Sequence, residues 1–549
     1  MNKNSLNSFY REIVSKKAYY LTIILFSIVA YGFSMMNRTV SWDDMLRDHY
    51  FGSGQIALAG RWGMLFLVKL FGVVDFNPFV DRFMAMLFLM LAATALCFVF
   101  YVSGRSRNVW GYALFSSLFV TYPLINEIWE YQGANFFTGI GCLLSTLAVV
   151  LLRWDISKAK RMIWATLLLL LPVASYESAA FYYVTLVCFI AFYDTVVVGE
   201  KPKSFREWIL LFVPYVLPLI FAVIIRFGIS AVLCWIWDLT PVTGGDTEIH
   251  WLSGSFASVL VHFVKINIIQ YVFAALIYLP ITEFLVASII FVAYIIGCAI
   301  HKKSVYPVVM GIIVMFSVFF LAIIKGSALS YRNTLTLTFF VPVAFYLLYL
   351  FVQNRGKKAL TLTLSIFLFA LCWHQSVCLN NILSLNNQRS DNELAMLHGV
   401  GQRLTADYDK KPVIFVSPCS QGEWVRNRTH VTPNSWNGRL YDALLKHVIS
   451  DPGNYDVSSQ HIFETNVTIV TKEYNGLREL FTYLGYDIDV IGPVEKPYTE
   501  EHQLRDLTQL EEATRIAKES NMRPFQIKDM GDYLIVMLGD DEYMIDSFR

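Results

Sequence analysis

Apolar side chains run along this chain in long blocks, with polar residues collected between them, and the short apolar-polar alternation of a soluble sheet is confined to the last third. A helix crossing a bilayer core needs roughly 20 apolar residues. Runs near 18–36, 79–102, 107–125, 134–152, 162–175, 178–198, 208–229, 281–300, 305–324, 334–352 and 359–379 approach that length and predict about eleven spans. The stretch 255–280 is apolar enough to span but carries His262, Lys265, Asn267 and Gln270, and it is read as an amphipathic helix lying on the outer interface. Gly63 to Val74 reads as a second, shorter one.

From about Leu385 the pattern changes. Charges become frequent, and short β-prone runs at 412–416, 467–470 and 533–537 alternate with a helical pattern at 508–520. The expected architecture is an all-α polytopic membrane domain over 1–380, followed by a small α/β extracytoplasmic domain over 381–549.

Composition agrees with this division. Of 549 residues, 56% are hydrophobic and only 16% charged, more apolar side chain than a soluble interior can hold. A net charge of +1 with no concentrated basic surface argues against a nucleic-acid partner. Seven of the eight cysteines lie in or beside apolar runs and Cys419 stands alone in the tail, with no CxxC, zinc spacing or disulfide framework. The N-terminal apolar run follows Lys3, Arg11, Lys16 and Lys17, but it is long and no small-x-small cleavage site follows, so it reads as an uncleaved first span.

Lys and Arg set the orientation. With the N-terminus cytoplasmic, 18 of them fall in the inner segments, including Arg153, Lys158, Lys160, Arg161, Lys302, Lys303 and Arg355. Eight fall in the outer ones: Arg38, Arg47, Arg61, Lys69, Arg82, Lys265, Lys325 and Arg332. The positive-inside rule supports this orientation, and an odd number of spans places the tail outside. If 255–280 spanned, Lys302, Lys303, Arg355, Lys357 and Lys358 would be sent outside.

The outer loops hold the candidate chemistry. Ser41-Trp42-Asp43-Asp44 puts two adjacent carboxylates where the chain leaves the bilayer, and nothing there rewards burying two like charges. Arg61 closes the same loop, while Lys325 and Arg332 bracket another. One such cation suits a lipid headgroup equally well, but three on the face of a carboxylate pair suit a phosphate clamp. Glu127, Trp129 and Glu177, with Trp42 and Trp62, are candidates for binding sugar or acceptor. Interfacial aromatic belts also account for such Trp residues. Arg226, near the outer end of its span, is read as structural.

These features together resemble the GT-C class of integral-membrane glycosyltransferases. More narrowly, residues 1–380 look like the bacterial family that includes the serotype-converting O-antigen glucosyltransferases; the features carrying this are Trp42-Asp43-Asp44 opening the first outer loop, Gly60-Arg61-Trp62 closing it, and the span count. The resemblance implies a multi-pass inner-membrane enzyme, a polyprenyl-phosphate sugar donor drawn from the bilayer, and a cell-surface polysaccharide or lipid-linked glycan as acceptor at the outer face. On that reading Asp43 or Asp44 is the general base, and Arg61, Lys325 and Arg332 hold the departing phosphate. No cofactor is expected; the acid pair could hold Mg²⁺ or Mn²⁺, but a monophosphate leaving group flanked by cations needs a metal less. A lipid-linked glycan flippase, a polymerase or ligase using a diphosphate-linked donor, and a non-catalytic adaptor are the rival readings. The Asn-x-Thr triplets at Asn37, Asn427 and Asn466 are read as chance.

Overall fold

The computed structural model describes residues 1–37, 60–72, 78–104, 107–122, 135–199, 205–237, 256–263, 281–326, 335–408, 411–416, 480–482, 484–490, 508–523 and 525–538. Each of the predicted apolar runs is occupied by helix. A short helix α1 (Lys3–Phe9) precedes α2 (Lys17–Met36), α3 (Trp62–Phe71), α4 (Pro78–Ser103), α5 (Val109–Thr121) and α6 (Asn135–Leu152). Then come α7 (Lys158–Ser175), α8 (Glu177–Phe192), α9 (Phe205–Ile236), α10 (Phe256–Phe263) and α11 (Ile281–Lys302). The series ends with α12 (Tyr306–Val318), α13 (Phe320–Lys325), α14 (Leu335–Asn354) and the 50-residue α15 (Lys358–Asp407). Among the described residues, six helical segments are individually long and apolar enough to cross a membrane: Lys17–Met36, Phe79–Ser103, Ser178–Val198, Arg206–Ile236, Leu335–Asn354 and Lys358–Val377.

Contacts sort the helix ends into two groups. At one end the Met1 ammonium donates to the Arg153 carbonyl (2.9 Å), Arg153 pairs with Asp194 (3.0 Å), and Asn108 donates to the Tyr349 hydroxyl (2.7 Å). Lys302 donates to the Val196 carbonyl there as well. At the other end Arg82 of α4 donates to the carbonyls of Ser34 and of Asn37, the latter at 2.6 Å, while further along Tyr19 of α2 donates to Thr94 of α4 (3.0 Å). Helices α2 and α4 are therefore antiparallel. Helix α6 lies close against α4 because Gly139 has no side chain: a Cβ there would stand 2.6 Å from the Ala85 carbonyl oxygen. Small residues that let backbones approach are the usual packing device of membrane helices.

Helix α15 does not stop at the boundary expected near 380. No proline interrupts residues 358–407, so backbone hydrogen bonding continues while the side chains change from apolar to polar. At 1.5 Å per residue the helix extends about 75 Å, more than twice a bilayer core. Its first part packs in the bundle core through Leu368, Cys372, Leu379 and Leu383. Its last turns, through Leu397, Val400 and Leu404, belong to a second core.

That second core surrounds a three-stranded sheet. Strands β1 (Val413–Val416), β2 (Ile527–Asp529) and β3 (Leu534–Met537) lie in the order β1-β3-β2, with β1 parallel and β2 antiparallel to β3. A further helix, α16 (Thr508–Glu519), covers the sheet and buries Ala513 and Ala517 in this core. The sequence pattern anticipates β1, β3 and α16. It misses β2, an edge strand of three residues, two of them charged. The strand expected at 467–470 lies outside the described residues.

Candidate functional site

The helix ends opposite Met1 carry the described candidate residues. Helix α3 begins at Trp62, with Arg61 as its N-cap residue. It sits directly on the C-terminal end of α7, because a Cβ at Gly63 would meet the Ala174 carbonyl carbon and oxygen and the Ser175 hydroxyl, each at 2.9 Å. This contact fixes where Arg61 emerges.

The Arg61 guanidinium lies over the Tyr176 ring, 5.2 Å from its centroid. Tyr176 is the extended residue between α7 and α8, so the same turn that ends one helix and starts the next presents the ring to the cation. Trp62 has a buried indole N–H with no hydrogen-bond partner among the described residues. Glu177 is the first residue of α8, immediately beyond Tyr176.

Behind Arg61 stands a second cation. Arg226 of α9 donates Nε–H to the Gly60 carbonyl at 3.0 Å. Gly60 has φ +72°, and a Cβ there would fall 2.9 Å from Arg226 Nη2, so glycine provides both the left-handed turn and the room for the guanidinium. Arg226, expected from the sequence to be structural, is seated on the residue before Arg61. A cation spaced two-thirds of the way along an apolar helix was the available signal.

Lys325 ends α13, and that helix packs on α8 through Phe181 and Phe320, whose rings lie 6.1 Å apart. Arg61 and the first residue of the helix that Lys325 ends are thus both tied to the first turns of α8. Three further ionisable side chains at this end are almost fully buried: Asp81 and Arg82 in the first turn of α4, and Glu283 in the first turn of α11. The sequence reading placed Arg82 in an outer loop. It is 1% exposed and satisfies the last carbonyls of α2, where a cation also complements the helix dipole. The Asp81 carboxylate in turn accepts from the Phe136 N–H at 3.4 Å, near the start of α6.

Trp42, Asp43, Asp44, Glu127, Trp129 and Arg332 lie outside the described residues, as does the side chain of Glu177. The segments that contain them adjoin the end just described: α2 leads into 38–59 and α5 into 123–134. Among the described residues no three His, Cys, Asp or Glu side chains converge as a metal-binding group.

A family model described as Glucosyl transferase GtrII matches residues 32–378. No curated protein and no solved structure matches the chain. The matched region runs from the end of α2 to the middle of α15, and so includes Arg61, Trp62, Arg226 and Lys325 together with the acid pair.

Proposed function

The chain belongs to the GtrII glucosyl transferase family, and from that premise we propose that it transfers glucose from a polyprenyl-phosphate donor to a hydroxyl of a cell-surface glycan at the outer face of the bacterial inner membrane. As a glycosyltransferase it takes a sugar donor and a glycan acceptor. The monophosphate carrier, the sidedness and the residue roles are our reading.

In this mechanism Asp43 or Asp44 removes the proton of the acceptor hydroxyl as its oxygen attacks the anomeric carbon. A carboxylate beside another is a stronger base than one standing alone, since mutual repulsion favours taking up a proton. The bond between the anomeric carbon and the phosphate oxygen breaks, and its electron pair leaves with the lipid phosphate. Negative charge on that phosphate grows through the transition state, so fixed cations lower the barrier more than they tighten ground-state binding. Arg61, with Lys325 and Arg332, is assigned to it. Trp62 and Trp129 offer ring faces and indole N–H donors to the sugar, and Glu127 and Glu177 accept from hydroxyls.

The observation that carries this reading is the seating of Arg61. Its backbone is fixed by Gly63 against α7 and by Arg226 on Gly60, and its guanidinium rests on Tyr176. A cation whose backbone is held this firmly is positioned in advance for an anionic group. Purified protein supplied with labelled polyprenyl-phosphate glucose and the acceptor glycan tests it. Transfer to the glycan is expected. Turnover only with a diphosphate-linked donor would replace the donor assignment, and lipid movement without transfer would replace the reaction.

A further inference from the structure

Glu283 is the one acidic or basic side chain in the apolar run 281–300. It is 2% exposed in the first turn of α11, and one carboxylate oxygen accepts from Gln375 Nε2 of α15 at 2.5 Å. The Gln375 carbonyl oxygen accepts from the hydroxyl of Thr121, the last residue of α5, at 2.7 Å. Helices α5, α11 and α15 are thereby joined by a polar chain inside the bundle.

The chain is not closed. Glu283 Oε1 is buried with no hydrogen-bond partner among the described residues, and so is the hydroxyl of Tyr122, which lies within electrostatic reach of the same carboxylate. Apolar side chains of similar volume would stabilise a bundle better than a half-satisfied polar cluster. An ionisable residue retained at membrane depth marks a ligand path or site by default.

The chemistry narrows the ligand. A carboxyl group with no cation beside it offers a phosphate no counter-charge, and among the described residues one acid with amide and hydroxyl groups does not make a metal site. An acceptor oxygen beside a hydroxyl that can donate or accept is what a ring bearing several neutral hydroxyls requires.

We propose that Glu283 and Tyr122, held in place by Gln375 and Thr121, form a hydroxyl-recognition pocket for the hexose of the donor. Glu283 Oε1 accepts a hydrogen bond from one sugar hydroxyl, and the Tyr122 hydroxyl bonds a neighbouring oxygen. This deepens the glucosyltransferase reading above and rests on it. Glu283 acts as a specificity residue, distinct from the base and from the phosphate cations.

The test is a donor panel on the purified full chain, comparing polyprenyl-phosphate glucose with its monodeoxy analogues. Glu283→Gln keeps the shape and can still accept from Gln375, and Tyr122→Phe removes only an oxygen. For the intact donor each variant is expected to lower kcat/KM about 10- to 100-fold. With the analogue lacking the contacted hydroxyl, wild type and variant should agree within about threefold, at a different sugar position for each variant. Bare polyprenyl phosphate should inhibit both variants as it inhibits wild type. An equal loss for every donor, no loss for the intact donor, or weaker inhibition by the bare lipid would each overturn the pocket. If Glu283→Gln does not fold, Tyr122→Phe carries the same comparison. Wild type that uses another glucosyl donor would overturn the carrier assignment alone, and the deoxy series of that donor then decides the pocket.

Discussion

Arg226 and Gly60 are 166 positions apart in sequence and joined by one hydrogen bond, 3.0 Å from guanidinium Nε to carbonyl oxygen. That contact ties the C-terminal part of α9 to the turn from which Arg61 emerges. Gly60→Ala should break it twice over, since alanine resists φ +72° by roughly 1–2 kcal/mol and its Cβ would press on Arg226 Nη2. The expected result is a loss of transfer of about tenfold or more with only a small fall in thermal stability in detergent. Turnover at the wild-type level would show that the position of residue 60 is immaterial.

How much of this was legible beforehand follows from what each element depends on. Helix positions depend on long apolar runs, which a sequence displays directly, so each expected run proved helical. The Arg226 contact depends on which of several loops meets α9, and no local pattern encodes that. Glu283 is one charged letter in a 20-residue apolar run, silent until Gln375 and Thr121 are brought to it. The β1–β3 pairing joins residues 413–416 to 534–537 in parallel, a long crossover that fixes a sheet only once the intervening chain has folded. For the acid pair the sequence remains the whole of the argument.

Arg61→Ala should reduce transfer by about 10- to 100-fold through loss of transition-state charge stabilisation, with kcat falling more than KM rises. Arg61→Lys should recover only part of this, since a point charge lacks the planar fork that grips phosphate and stacks on Tyr176. Steady-state kinetics across donor concentration separates the outcomes. Equal activity in all three proteins would move the phosphate clamp elsewhere.

Asp43→Asn and Asp44→Asn should separate the base from its neighbour. Removing a general base costs about 10²- to 10⁴-fold in rate. The variant at the base is expected to lose activity on that scale while donor binding persists. The variant at the neighbour should lose less, and its pH–rate profile should shift to lower pH as the repulsion that raised the base's pKa disappears. Two unchanged profiles would remove both residues from the mechanism.

In the tail, Lys411, just ahead of β1, reaches across to Asp529 at the end of β2, with Nζ 2.7 Å from Oδ2. This ammonium, with the Gly531 N–H, holds the Asp529 carboxyl below the ordinary carboxylate range. A carboxylate depressed in the folded state adds stability that is fully present above its unfolded pKa and lost as pH falls through the folded one. Resistance of the tail to limited proteolysis should therefore decline on acidification below the usual carboxylate range. Lys411→Met should remove that part of the pH dependence. The pair is exposed, so the effect is expected to be small.

Topology underlies the rest, because an inward-facing acid pair would never meet an outer-face acceptor. In a background cleared of native thiols, a membrane-impermeant reagent should label cysteines introduced near Ser53 and Asn475 and spare those near Ser157 and Ser204. The tail position discriminates most sharply, since it reports whether the number of spans is odd. Protection of Asn475 in intact cells with labelling only after lysis would mean that 255–280 crosses the bilayer. Lys325 and Arg332 would then turn inward, away from Arg61. Yet α13, which carries Lys325, packs on α8 just beyond Tyr176, the ring beneath Arg61. An even count would have to break that packing, so the Phe181–Phe320 contact argues for an odd count, and labelling of the tail from outside is the expected result.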